Sequence, residues 1–185
     1  MIRNSYLKDK LMNDLLVGTH ISMTDSIVSE ILGRLGYDFI WIDTEHSENS
    51  YTSLRNHLTA VNAGGTPAIV RVSMNDYNHV KRVMEMGPDG ILFPMINTAE
   101  EAKAAMEFCM YPPAGRRGFG PLRAVNYGID DMDAYIAEAN EKTCRFVQIE
   151  TVTAVNNLPE IVKNPYIDGF FFGPCDLSGS LGELN

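Results

Sequence analysis

The chain contains no run of 18 apolar residues, no cluster of more than two adjacent lysines or arginines, no CxxC pair, and no repeat or low-complexity tract. The first absence removes a transmembrane helix. The second, in a chain of net charge −9, makes nucleic acid and anionic membrane poor partners. Cys109, Cys144 and Cys175 are odd in number and irregularly spaced. They read as reduced thiols of a cytoplasmic protein, not as a disulfide framework or zinc site. No signal peptide is expected, because Met1-Ile2-Arg3-Asn4 runs straight into a mixed-charge segment. The six lysines, Lys8, Lys10, Lys81, Lys103, Lys142 and Lys163, all fall outside apolar strand-like runs. No lysine is therefore expected to be desolvated enough for Schiff-base chemistry.

What is present is an alternation of strand-like and helix-like segments. Apolar runs near 16–21, 39–44, 67–73, 90–96, 117–120, 145–150 and 168–173 read as buried strands. Between them lie stripes of helical period, among them Ile27, Val28, Ile31, Leu32 and Leu35 after the N-cap candidate Asp25. Asn97-Thr98-Ala99-Glu100 resembles a capping box opening the helix of Ala102, Ala105, Met106 and Cys109. Strict alternation predicts a parallel sheet with right-handed crossovers. Seven strands point to a (β/α)8 TIM barrel, which needs eight strands and about 250 residues. Residues 1–185 are thus expected to form a single (β/α) barrel domain lacking its last strand and C-terminal helices.

Several of these runs end in charge. Phe39-Ile40-Trp41-Ile42 breaks into Asp43-Thr44-Glu45-His46, Phe146-Val147-Gln148-Ile149 ends at Glu150, and Phe170-Phe171-Phe172-Gly173-Pro174-Cys175 ends at Asp176. The C-terminal lip of a parallel sheet is where ligands bind. Glu150 and Asp176, on consecutive strands, would repel one another unless a divalent cation lay between them, and oxygen-only ligation suits Mg²⁺ or Mn²⁺. Either carboxylate could equally cap a helix or pair with an arginine. His46 could serve as a general base held by Asp43, or be satisfied by loop backbone. Glu45 could reach the metal's water or cap the next helix. Arg71, at the end of Pro67-Ala68-Ile69-Val70, could stabilise an oxyanion or close a salt bridge at the mouth. Gly115-Arg116-Arg117-Gly118-Phe119-Gly120 lacks the spacing of either common phosphate loop and reads as a tight turn that shapes the substrate pocket. Gly173, Pro174, Cys175 and Asp176 are better placed to receive a carboxylate on backbone N–H groups.

Ile42-Asp43-Thr44-Glu45-His46-Ser47, Val70-Arg71-Val72, Tyr111-Pro112-Pro113-Ala114-Gly115-Arg116-Arg117-Gly118, Gln148-Ile149-Glu150-Thr151 and Gly173-Pro174-Cys175-Asp176-Leu177-Ser178 together resemble the HpcH/HpaI aldolase family, the metal-dependent class II pyruvate aldolases. The match runs in order from about Gly18 to Leu181. The resemblance implies cleavage of a 4-hydroxy-2-oxo acid to pyruvate and an aldehyde. Glu150 and Asp176 would hold the metal (Mg²⁺, Mn²⁺ or Co²⁺). His46, oriented by Asp43, would be the acid/base, and Arg71 would stabilise the pyruvate enolate. Gln148 would line the pocket, and the backbone at Cys175 and Asp176 would take the pyruvate carboxylate. It also implies a homo-oligomer, a hexamer or trimer of dimers, with a C-terminal helix exchanged beyond Asn185. Two departures stand out: Cys175 where the family more often has Ala, and Thr19-His20 in place of an aromatic. The alternatives are a CoA-thioester lyase of the malyl-CoA or citryl-CoA type, for which no basic channel is evident, and a barrel that binds a 2-oxo acid without turnover.

Overall fold

A computed structural model describes residues 6–184. Six strands, β1 (Gly18–Ile21), β2 (Phe39–Asp43), β3 (Ala68–Arg71), β4 (Gly90–Phe93), β5 (Cys144–Ile149) and β6 (Gly169–Phe172), pair in sequence order, every neighbour parallel. Helices α1 (Tyr6–Leu11), α2 (Ser26–Leu32), α3 (Tyr51–Ala63), α4 (Tyr77–Glu85), α5 (Ala99–Cys109), α6 (Met132–Lys142), α7 (Val152–Ile161) and α8 (Pro174–Ser180) lie between or flank them. Among the described residues, no helix is long and apolar enough to cross a membrane.

The sheet is curled. Adjacent strands lie about 4.8 Å apart, so β2 and β6, four steps apart, would stand about 19 Å from each other if the sheet were flat. The rings of Trp41 on β2 and Phe171 on β6 are instead 5.7 Å apart. Phe146 on β5 meets Phe171 at 5.4 Å. Alternation along each strand then divides two cores. Ile40, Ile42, Val70, Ile91, Phe93, Val147 and Ile149 point outward and pack under the helices. Ile69, Leu92, Cys144 and Phe146 point inward, with Leu7 of α1 packed on them at the N-terminal end. The inward positions one or two steps further up are polar: Asp43, Arg71, Gln148 and Glu150.

Two expectations are corrected. Residues 117–120 form no strand, and β4 pairs directly with β5. Arg117 N–H donates to the Met110 carbonyl at 2.9 Å, and its guanidinium lies buried over the Tyr111 ring, 4.3 Å from its centroid. The segment is therefore tied to the end of α5 and has no free edge to offer a strand. The sheet holds six strands, with α5 and α6 both between β4 and β5.

The apolar stripe on α2 is split: Val28 and Leu32 are half-buried, Leu32 against the main core. Asp25 caps the helix, its Oδ1 accepting from Ile27 N–H at 2.9 Å, as its sequence position predicts. Yet Ile27, Ile31 and Leu35 are exposed, and Ser29 and Gly33 are buried against α3. A Cβ on Gly64 would sit 2.3 Å from the Gly33 carbonyl oxygen. Small residues let these helices approach so closely that Ile27, Ile31 and Leu35 are turned outward.

Candidate active site

Four inward side chains meet at the C-terminal lip. The register places Asp43 of β2 beside Arg71 of β3, and the two form a bidentate pair: Nε donates to Asp43 Oδ1 at 2.9 Å and a terminal nitrogen to Oδ2 at 2.7 Å. The guanidinium stacks 4.7 Å from the centroid of Trp41, which lies one inward step below Asp43. Its remaining terminal nitrogen is 3.2 Å from Glu45 Oε2. Such a fork satisfies a planar cation geometrically, which a lysine could not.

The charges set each other's titration. Burial alone would raise the Asp43 pKa. Hydrogen bonds from Arg71 and from the N–H groups of Glu45 and His46, with the Arg71 charge, outweigh burial and hold it below the ordinary value. Glu45 goes the other way: burial raises its pKa, Arg71 and His46 partly offset this, and the nearby charges of Glu150 and Asp43 add to the rise. Burial disfavours the charged form of Arg71, but Asp43, Glu45 and Glu150 more than compensate and raise its pKa. Glu45 and Arg71 thus feel Glu150 across the lumen.

Glu150 follows β5 and is almost fully buried. Its Oε1 accepts from the backbone N–H of Met95 at 2.6 Å, and its Oε2 accepts from Gln148 Nε2. Met95, in the loop after β4, holds a left-handed backbone (φ 54°), an unusual conformation for a non-glycine residue. Gln148 Oε1 is buried without a hydrogen-bond partner among the described residues. Gly173, at the end of β6, allows this crowding: a Cβ there would stand 2.5 Å from Glu150 Oε2 and 2.8 Å from Gln148 Nε2. Past it, Pro174 opens α8 at its first turn. The first-turn N–H groups of Cys175 and Asp176 have no acceptor within the helix. Both side chains are exposed, and among the described residues Asp176 forms no hydrogen bond or ion pair.

The structure brings Asp43, Arg71, Gln148 and Glu150 together as inward neighbours and sets Gly173 against Glu150. It does not place Asp43 against the His46 ring. Asp43 Oδ1 reaches His46 only through the backbone N–H, at 3.4 Å, because both carboxylate oxygens are engaged by Arg71. The imidazole is mostly exposed and its Nε2 stands 3.8 Å from Glu45 Oε2. Glu45 does not cap α3, a role taken by Ser50. Two participants escaped the sequence reading. Trp41 could have been found from period-two alternation, since it shares an inward face with Asp43. The Met95 N–H left no trace, because a backbone donor carries no side-chain signature.

A parallel α/β sheet with a cation, three carboxylates and an amide at its C-terminal lip has the polar group placement of an enzyme site. Residues 17–185 match the HpcH/HpaI aldolase/citrate lyase family. The chain is 38% identical over 181 residues to a hydroxypyruvate/pyruvate aldolase of Roseobacter denitrificans, a match covering 98% of this chain and 71% of that protein. It is 35% identical to a 2-keto-3-deoxy-L-rhamnonate aldolase of Klebsiella pneumoniae, covering 98% of this chain and 68% of that one. A crystal structure of a family protein from Burkholderia cenocepacia J2315 superposes with a TM-score of 0.91 at 30% identity, over 98% of this chain and 74% of that one. The chain belongs to the HpcH/HpaI aldolase/citrate lyase family. It is a carbon–carbon lyase of the aldolase kind.

Proposed function

We propose that the protein is a divalent-metal-dependent class II aldolase that cleaves 4-hydroxy-2-oxo acids to pyruvate and an aldehyde, and reversibly forms them. Its relatives are named for hydroxypyruvate and pyruvate and for 2-keto-3-deoxy-L-rhamnonate, which makes 2-keto-3-deoxy sugar acids the first substrates to test. The observation that carries the reading is the Arg71 guanidinium held between Asp43 and Glu45 on the lip that also bears Glu150.

The residues fit a hard cation. Glu150 accepts one hydrogen bond on each oxygen, so each keeps a lone pair. Gly173 leaves a cradle beside its Oε2 that any side chain would fill. Among the described residues no three His, Cys, Asp or Glu side chains converge as a ready cage. Glu150 and Asp176 would therefore hold the ion together with water and substrate oxygens, as suits Mg²⁺, Mn²⁺ or Co²⁺. When bound, the ion would polarise the 2-oxo and carboxylate oxygens as a Lewis acid.

The protein's own residues supply the rest. His46 takes the proton of the C4 hydroxyl, with Glu45 beside it to balance the imidazolium that results. The oxygen's electrons form the aldehyde carbonyl, the C3–C4 bond breaks, and its electrons pass into the C2–C3 enolate. Arg71 is fixed before the reaction by Asp43 and Glu45, so it stabilises the developing oxyanion without reorganising. Return of a proton to C3 gives pyruvate. The unpaired Gln148 Oε1 is suited to accept from a hydroxyl of the substrate, and the N–H groups of Cys175 and Asp176 to donate to its carboxylate. In full form the reading includes a complete (β/α)8 barrel and a homo-oligomer, for which light scattering of the purified protein is the check.

The test is pyruvate release from 4-hydroxy-2-oxo acids in a lactate dehydrogenase-coupled assay, with and without EDTA. Activity abolished by chelation and restored by Mg²⁺ or Mn²⁺ is expected. Activity indifferent to chelation would remove the roles of Glu150 and Asp176. Absence of activity on every 2-oxo acid would shift the reading to a CoA-thioester lyase or a binding protein.

A further inference from the structure

His57 is fully buried in α3, and nothing in the reaction uses it. Its Nδ1 lies 2.5 Å from Ser29 Oγ on α2, also fully buried. Its Nε2 lies 3.0 Å from Asn49 Oδ1. Asn49 Nδ2 in turn donates to the Asp43 carbonyl at 2.9 Å. That carbonyl accepts a second hydrogen bond, at 2.6 Å, from Ser47 Oγ, and Asn49 N–H closes the circle on Ser47 Oγ at 3.2 Å.

Asn49 decides the state of Nε2, while the Met23 backbone also reaches the ring. Asn49 spends its N–H on Asp43, so it offers His57 an oxygen, and Nε2 must carry the ring proton. Nδ1 is then bare and accepts the Ser29 hydroxyl proton. The chain runs from the α2–α3 contact to the peptide at which β2 ends. From the other side, the Asp43 carboxylate accepts the N–H groups of Glu45 and His46. The loop carrying both side chains is thus pinned in front by Asp43 Oδ1 and behind by the Asp43 carbonyl.

We propose that His57 is a positioning residue for the lip, a neutral, Nε2-protonated imidazole that, with Ser29 and Asn49, fixes the loop presenting Glu45 and His46. This role rests on the reading of that loop as the carrier of acid/base chemistry. Displacements of about 1 Å at a reacting group can cost roughly 100-fold in rate. His57→Leu should therefore lower kcat for pyruvate release about 10- to 100-fold, on the same scale, with KM within about threefold. His57→Gln, which keeps a donor toward Asn49 and an acceptor toward Ser29, should restore most of it. Asn49→Ala combined with His57→Leu should be no worse than either alone, because one relay is broken in each.

Amide hydrogen exchange at Glu45 and His46 gives a readout that needs no turnover. It should accelerate at least about tenfold in His57→Leu and Asn49→Ala and stay near the parent rate in His57→Gln. Unchanged exchange in His57→Leu, multiplicative losses in the double variant, or a His57→Gln variant as damaged as His57→Leu would each overturn the proposal. If His57→Leu does not fold, Ser29→Ala and Asn49→Ala carry the same test. A parent protein that releases no pyruvate from any 2-oxo acid would refute the pyruvate-releasing reading of the site while the exchange result still decides the relay.

Discussion

The sheet buries two strand arginines, at opposite ends and on opposite faces, and treats them in opposite ways. Arg145, outward on β5 near its N-terminal end, donates to the Tyr166 carbonyl at 3.0 Å and the Asn140 carbonyl at 2.6 Å. Its partner Asp168, 3.7 Å away, also accepts the Arg145 N–H and pairs with Lys8 at 2.9 Å. Acceptors and donors are matched, and Cys144 beside them has its thiol pushed up to about 12 by burial. Arg71, inward at the other end, faces Asp43, Glu45 and the field of Glu150. There the carboxylates outnumber the cation, Glu45 is pushed toward its neutral form, and Gln148 Oε1 lacks a partner. A saturated network is a clamp. A network with unspent acceptors and a carboxylate raised toward neutrality is poised for a ligand, and that imbalance is the better marker of function.

The sharpest break in the comparison is Arg71→Ala against Arg145→Ala. Loss of Arg71 should lower kcat about 10²- to 10³-fold. It should also destabilise the fold by about 3–5 kcal/mol, because Asp43 is left buried and unpaired. Arg145→Ala should cost stability alone, with kcat of the folded fraction unchanged. Steady-state kinetics and urea titration of both variants separate the two. Arg71→Lys should not recover activity, since a single ammonium cannot reproduce the fork; parental kcat in that variant would assign Arg71 to the clamp class.

Next in size is Gly173→Ala. Its Cβ falls 2.5 Å from Glu150 Oε2, an overpacking that should cost about 1–3 kcal/mol and weaken Mn²⁺ binding measured by calorimetry. Parental Mn²⁺ affinity would show that the cradle is not part of the ion site.

A smaller effect follows from titration. The Glu45 pKa in the folded protein is raised from 4.5, so the fold favours its protonated form. That contribution is fully present at low pH and is lost as pH rises through the folded value. The Asp43 pKa is lowered from 3.8, so its contribution is present above that value and lost as pH falls through the folded one. Stability should therefore rise slightly as pH drops from 7 toward the Glu45 range and fall again below pH 4. Glu45→Gln should remove the rise and leave the fall. An identical pH profile in the variant would contradict the burial of Glu45. Smallest of all, Cys175→Ala should leave kcat/KM within about twofold, since its exposed thiol sits outside the fork and isolated surface changes seldom exceed about 0.5 kcal/mol.

The strands that matter were legible because parallel strands covered on both sides read as continuous apolar runs, and the charges ending β2, β3 and β5 marked the lip. The run at 117–120 misled because the same composition serves a loop whose arginine is buried under tyrosines. On α2 the period was right but only Val28 and Leu32 of the stripe turn inward, since a glycine contact decides helix approach and leaves no hydrophobic signal. Pairing Asp43 with His46 followed nearness in the chain, whereas the bidentate fork joins residues 28 apart. Parallel register, which a local pattern does not contain, made that choice.

The left-handed turn at Met95 has a consequence for how this site can drift. The donor to Glu150 is a main-chain N–H, so exchanging the half-exposed side chain at 95 leaves it in place. Only proline would delete it. Glycine would keep it and relieve the backbone conformation. The side chain at 95 can therefore change while the contact it makes stays constant, and a profile of tolerated residues there would lack proline and be thinned of the β-branched residues that a positive φ disfavours.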